Sequence, residues 1–464
     1  MPFARLIVTA ALTVALLGAG VAHADAPWSA PVTIASGNYG FSQPALAFTG
    51  DGHALALLGG GAGQLTRILA AAPGASTFTE IGRTVPVAGP ALYGRRGVAF
   101  LRTPLRAPAT TRSPTKFARL GVSLGAVPGS LGRFEQLARV DVSQSGQITA
   151  GIAADPRGNV AAAWVEPRGG RSLLRLALRP PGHAFGRATT LGEATGYLDD
   201  PPLGVAYGAN GDLVVAFQRS RVRQVSESTL EFAVRVKRYG RRFGPIQSLG
   251  PSRGFSSLAT AVAPTGAAVV AWGTQDGGEG VETPWTVRAA MLRSGARRFS
   301  KTQLLDPGRV ARPVAGVSAA IGRDGTATVA WSGVAARQLP YPVRVATAGP
   351  VGRFGATMQL APNGETLGLV TARDGTTTVL WGSVTDFEAE TLDGIFAARR
   401  PDAASRFAVP EAVSPREPVA RAAIALDPQS GRPAALWVGS PGAPPGTPLD
   451  YGSPLEPQYS TRGG

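Results

Sequence analysis

The chemistry open to this chain is bounded by what it lacks. Its 464 residues include no Cys and only three His, so thiolate nucleophiles, disulfides, iron–sulfur clusters and thiolate zinc sites are excluded together. Catalysis would have to come from carboxylates, hydroxyls and arginine. Carboxylates gather in three stretches: Asp276, Glu279 and Glu282 leading to Trp285; Asp386, Glu388, Glu390 and Asp393; and Asp199 and Asp200 beside Tyr197. A contrasting stretch carries Arg219, Arg221 and Arg223. A glycoside hydrolase or lyase would need two carboxylates about 5 to 10 Å apart, one with its pKa raised by burial. The same acids beside Trp285 and Tyr197 would equally hold a sugar or peptide with no catalytic step.

Other polar residues read as structural. Asp51, Asp155, Asp324, Asp374 and Asp427 stand in turns, outside any D-x-D-x-D-G calcium run, and Asp in a turn commonly caps its own backbone. His53 and His183 have no second His or Glu at ligand spacing. No metal or cofactor is expected.

The elements that must position the acidic stretches follow from an internal repeat. A turn Gly precedes a Trp by six residues at Gly158/Trp164, Gly266/Trp272, Gly325/Trp331, Gly375/Trp381 and Gly431/Trp437. Gly211/Phe217 and Gly52/Leu58 keep the register, and Gly97 opens a degenerate copy with Phe100 as its aromatic. The mean period is about 54 residues, in the range of propeller-type repeats. A second landmark is an aromatic residue with an apolar one six positions on, as in Phe243/Leu249 and Phe299/Leu305.

Each copy reads as four strands: one entering a tight Asp-Gly turn, a continuously apolar one such as Ala267–Trp272, an alternating one, and the aromatic segment. Short strands with regular turns predict an all-β propeller of eight four-stranded blades, with seven as the alternative because the second copy is degenerate. The last copy lacks its aromatic segment, and Trp28/Ile34 supplies one at the other end, so the N-terminal strand is expected to close the ring and remove the open sheet edges. Third strands carry Arg67, Arg119, Arg175, Arg235, Arg288, Arg344 and Arg399, read as stems covering apolar surface or guanidinium groups stacked on rings.

Residues 1–24 read as a signal peptide: Arg5, an apolar run from Leu6 to Leu17, and Ala22-His23-Ala24 as the cleavage site. Residues 25–464 then form one propeller domain, exported, without a transmembrane anchor, and monomeric. Net charge is +16, with Lys only at positions 116, 237 and 301, a bias that looks like a GC-rich bacterial genome. Such a charge favours polyanions. For an exported protein these would be anionic wall polymers, envelope polysaccharide or another exported protein, and nucleic acid is not expected.

The repeat resembles that of secreted bacterial propellers of the broad sialidase-like, or BNR-like, kind. It lacks the sialidase Asp-box, in which Gly stands three residues before Trp, and the Trp-Asp pair of WD40 repeats. What the resemblance implies is therefore architecture. Residues shared by every blade serve the blade, and function is expected where copies differ. The long loops after each second strand and between blades emerge on one face. That face predicts a non-catalytic binding or scaffolding protein using Asp199, Asp276, Glu279, Glu282, Trp285, Asp386, Glu388 and Glu390, with a carbohydrate-active enzyme on the same face as the alternative.

Overall fold

Each repeat turns on a glycine that must be left-handed. In the computed structural model, which describes residues 27–35, 39, 44–59, 65–86, 90–103, 117–129, 132, 134–141, 148–168, 171–195, 202–221, 230–252, 257–275, 285–306, 314–333, 342–384, 391–402, 404–445, 447, 449 and 455–463, seven turn glycines share this conformation. Gly52, Gly158, Gly211, Gly266, Gly325, Gly375 and Gly431 have φ between +70° and +96°, where a Cβ is disfavoured. The turn aspartates cap their own loops. Asp155 accepts the backbone N–H groups of Arg157 at 3.0 Å and Asn159 at 2.9 Å, and Asp324 and Asp374 accept those of Thr326 and Thr376, each at 2.9 Å.

The second copy is less degenerate than its sequence suggests. Its turn residue is not Gly97 but Gly94, at φ +59°, which stands six residues before Phe100 and restores the common spacing. The hairpin here closes early, at the Tyr93–Gly97 pair, so Gly97 opens the second strand, Gly97–Thr103, with the Tyr93 ring against its Cα.

The chain forms eight four-stranded antiparallel blades in a propeller. Their innermost strands are Ala45–Phe48, Ala91–Tyr93, Ala150–Ala154, Leu203–Tyr207, Leu258–Val262, Val314–Ile321, Glu365–Thr371 and Pro418–Leu426. Blade 5 is representative, continuing outward through Ala268–Gln275, Trp285–Leu292 and Gln303–Asp306. Its second strand is buried on both faces, and Ala268 and Ala271 leave room for the neighbouring sheets.

The apolar core is distributed between blades. Among the described residues, eight clusters each join one pair of neighbouring blades. In every one the landmark residue of a blade faces the blade before it: Trp164 packs with Leu120 and Val122, Trp272 with Phe232, Trp331 with Trp285 and Val287, and Phe100 with Leu55 and Ile68. The five landmark Trp residues are at most 2% exposed, and burying a large apolar side chain contributes roughly 2 to 3 kcal/mol each.

The N-terminal strand closes the last blade as the sequence predicts. Val32 and Thr33 pair antiparallel with Tyr459 and Gln458, and Trp28 bridges to Arg462. The N–H of Gly463 donates to the carbonyl of Pro27 at 3.1 Å.

Two places depart from the repeat. The end of blade 1's outermost strand, Val85 and Pro86, pairs with Thr103 and Arg102 of blade 2, whose own innermost strand is only three residues long. From blade 7, Leu392–Asp393 adds to the innermost strand of blade 8 as a fifth strand. Among the described residues no helix is long and apolar enough to cross a membrane.

Candidate functional site

Short turns between first and second strands, and between third and fourth, lie on one face. Loops from second to third strand and from blade to blade lie on the other. Of the residues expected to act on this long-loop face, Asp199, Asp276, Glu279, Glu282, Asp386, Glu388 and Glu390 lie outside the described residues, as do Tyr197, Asp200 and Arg223. Trp285 is described, and it is not a free aromatic on a loop. It begins blade 5's third strand, is 8% exposed, and belongs to the cluster between blades 5 and 6. Asp393 is also buried, in the added strand beside Pro418.

The described part of the face is organised by arginine–carboxylate pairs that the sequence reading missed. In blade 4 the side chain of Glu231, 2% exposed, takes Arg219 at 2.7 Å and also pairs with Arg221. Ser248 donates to the same carboxylate at 2.5 Å, and Gln218 donates to the Ser252 hydroxyl at 2.6 Å beneath it. Burial alone would raise the Glu231 pKa, but the hydrogen bonds from Ser248, Arg221 and Arg219 outweigh it and hold the carboxyl below the usual glutamate value.

Related pairs follow around the ring. Glu166 meets Arg175 at 3.1 Å and Glu193 meets Arg171 at 3.1 Å in blade 3, while Asp306 of blade 5 pairs with Arg344 of blade 6 and accepts the Trp331 indole N–H at 3.1 Å. Three of the third-strand arginines, Arg175, Arg288 and Arg344, stand directly across from the landmark Trp of the second strand. Arg235 and Arg399 do not share that register, facing Val215 and Thr378 instead. Arg235 lies over the Phe243 ring at 5.4 Å and donates to the carbonyls of Gly244 and Leu191, each at 3.0 Å, so it covers a ring and ties blade 4 to blade 3.

Glu417 behaves differently from the paired acids. It lies in the connection entering blade 8, is 5% exposed, and accepts the Trp437 indole N–H at 3.2 Å. Burial raises its pKa, and the hydrogen bonds from Trp437 and the Gly442 backbone only partly oppose this. The two described histidines serve turns: His53 is buried with Nδ1 2.9 Å from Asp51, and His183 sits in an exposed hairpin. Among the described residues no three of His, Asp and Glu come together as metal ligands would.

These features define an eight-bladed propeller protein with a charge-paired long-loop face. No known protein family matches the chain, and no curated protein matches its sequence. Among solved structures, a prolyl endopeptidase is similar over 86% of this chain at 13% identity and a TM-score of 0.45, and the chain spans 55% of that protein's length. The polysaccharide lyase Uly1 is similar over 81% of this chain and 89% of its own, at 10% identity and a TM-score of 0.44. An alpha-L-arabinanase of Penicillium chrysogenum, solved with arabinobiose, is similar over 70% of this chain and 99% of its own, at 13% identity and a TM-score of 0.36.

Proposed function

We propose that the protein is an exported, non-catalytic binding protein of the cell envelope or extracellular space that engages an envelope polysaccharide through its long-loop face. The observation supporting this is the set of arginine–carboxylate pairs in blades 3 to 6. A glycosidase acid must keep its proton at working pH, and Glu231 is pushed in the opposite sense. A paired guanidinium keeps donors free for hydroxyl or anionic groups of a polymer, and its carboxylate fixes its direction. Arg171 and Arg221 present side chains 59% and 57% exposed while anchored at one end.

The test is a glycan and wall-polymer array probed with the protein and with an Arg171→Ala/Arg221→Ala variant. The expected outcome is retention of a polysaccharide that the folded variant loses. Absence of retention, or equal retention by the variant, overturns the reading.

A second reading, a carbohydrate-active enzyme on the same face, is favoured by Glu417 alone, a buried carboxyl with a raised pKa beside an indole, as a general acid requires. Release of reducing ends from the retained polymer, lost in Glu417→Gln, would establish it in place of the first.

A further inference from the structure

On the opposite face, at the seam where the ring closes, lies a cleft of about 250 Å³. Its walls come from three remote parts of the chain: Ser29 of the closing strand, the blade 8 turn from Asp427 to Arg432, and Ser76 in the blade 1 turn between third and fourth strands. Phe48 and Tyr459 form its apolar side, and the Tyr459 ring is fixed edge-on against Phe78 at 5.1 Å.

The charges in the cleft are unequal in availability. Asp427 keeps its negative charge, but its oxygens face its own turn, accepting the N–H of Gln429 at 2.9 Å and the Ser430 hydroxyl at 2.7 Å. The buried Arg462 is neutralised by Glu411. Arg432 is exposed, and its guanidinium makes no hydrogen bond or ion pair among the described residues. Among the described residues the cleft thus offers the unpaired guanidinium of Arg432, the exposed Ser76 hydroxyl, the Ser29 hydroxyl that also accepts the Thr461 N–H at 3.1 Å, and an apolar wall, on a chain of net charge +16.

We propose that this seam cleft binds a single acidic sugar residue, a uronate, with its carboxylate on Arg432, its hydroxyls at Ser29 and Ser76, and its C–H face against Phe48 and Tyr459. The fork geometry of guanidinium suits a carboxylate, and the volume suits one pyranose rather than a chain, being below the roughly 300 Å³ at which drug-sized pockets begin. Ser29 and Val32 of the closing strand complete the wall between blades 8 and 1, so the ligand favours the closed ring and stabilises it by linkage. The site is independent of the long-loop face.

The test is calorimetric, with free glucuronate, an oligogalacturonate and glucose as probes. Glucuronate should bind and raise the melting temperature, with glucose at least about tenfold weaker. With free galacturonate as the matched control, oligogalacturonate binding as well as galacturonate assigns the site to chain ends, and binding of galacturonate without the oligomer assigns it to the free sugar acid. Arg432→Ala should abolish the preference for the acid. Ser76→Trp, placed on an exposed turn, should block both sugars while leaving the unliganded melting temperature unchanged. Equal binding of glucose and glucuronate, no rise in melting temperature, or full glucuronate binding by either variant would overturn the proposal. Arg171→Ala/Arg221→Ala should leave glucuronate binding intact, separating this site from the other face.

Discussion

Trp28 donates its indole N–H to Glu411 across 3.2 Å of space and 383 residues of sequence. Glu411 also takes Arg462, so one carboxylate of blade 7 fixes both the closing strand and its partner in blade 8. Closure is therefore held by side chains as well as by strand pairing.

Removal of residues 27–35 should then open the ring. Trp28 and Ile34 are 9% and 7% exposed, and losing both with their strand should cost several kcal/mol, with Trp28→Ala alone costing about 3. Thermal unfolding monitored by near-ultraviolet circular dichroism measures this, and an unchanged midpoint would refute side-chain closure.

A recurrent latch should contribute at each junction where it occurs. Gln303 accepts the Phe354 N–H at 3.0 Å and donates to the Gly352 carbonyl at 2.8 Å, and Gln247 does the same with the Phe299 backbone at 2.9 and 3.0 Å. Gln303→Ala should destabilise by about 1 to 2 kcal/mol in urea unfolding. Gln303→Glu keeps the acceptor but sets a carboxylate oxygen against the Gly352 carbonyl, so it should be no more stable than Gln303→Ala.

Glu231 should make stability fall in acid. Its folded pKa lies below the unfolded value, so its contribution is present above the usual glutamate range and is lost as pH drops through the folded pKa. Glu231→Gln, which removes the charge that pairs two partly exposed arginines, should cost about 1.5 to 2 kcal/mol at neutral pH. Its difference from the parent should shrink as pH falls through the folded Glu231 pKa, as urea midpoints measured across pH will show.

Glu417 should act in the opposite sense. Its folded pKa is raised, so its contribution is complete below the usual glutamate range and declines as pH rises through the folded value. Glu417→Gln should flatten that decline. A variant whose pH dependence matches the parent's would contradict the assignment.

The propeller was legible because its two strongest signals are local. A left-handed Gly and an aromatic six residues later fall within one hairpin, and the missing aromatic segment of the last copy pointed directly to Trp28. Three kinds of feature were not legible. Gly97 read as the turn residue because Gly94 lies in a hairpin tighter than the others. Trp285 follows an acidic stretch and read as a loop aromatic, yet it is the first residue of a strand packed against the next blade. The pairs that shape the long-loop face, and the Gln247 and Gln303 latches, join residues that individually look like solvated surface. Their partners are fixed by how strands and neighbouring blades register, which no single repeat encodes.

Because Pro27 and Gly463 are hydrogen-bonded to one another, the molecule has no first blade in any mechanical sense. A short peptide joining those two residues, with new ends cut at another blade junction, would leave every sheet pairing of blade 8 in place. The order in which the blades are synthesised is then a property of the chain and not of the shape it reaches.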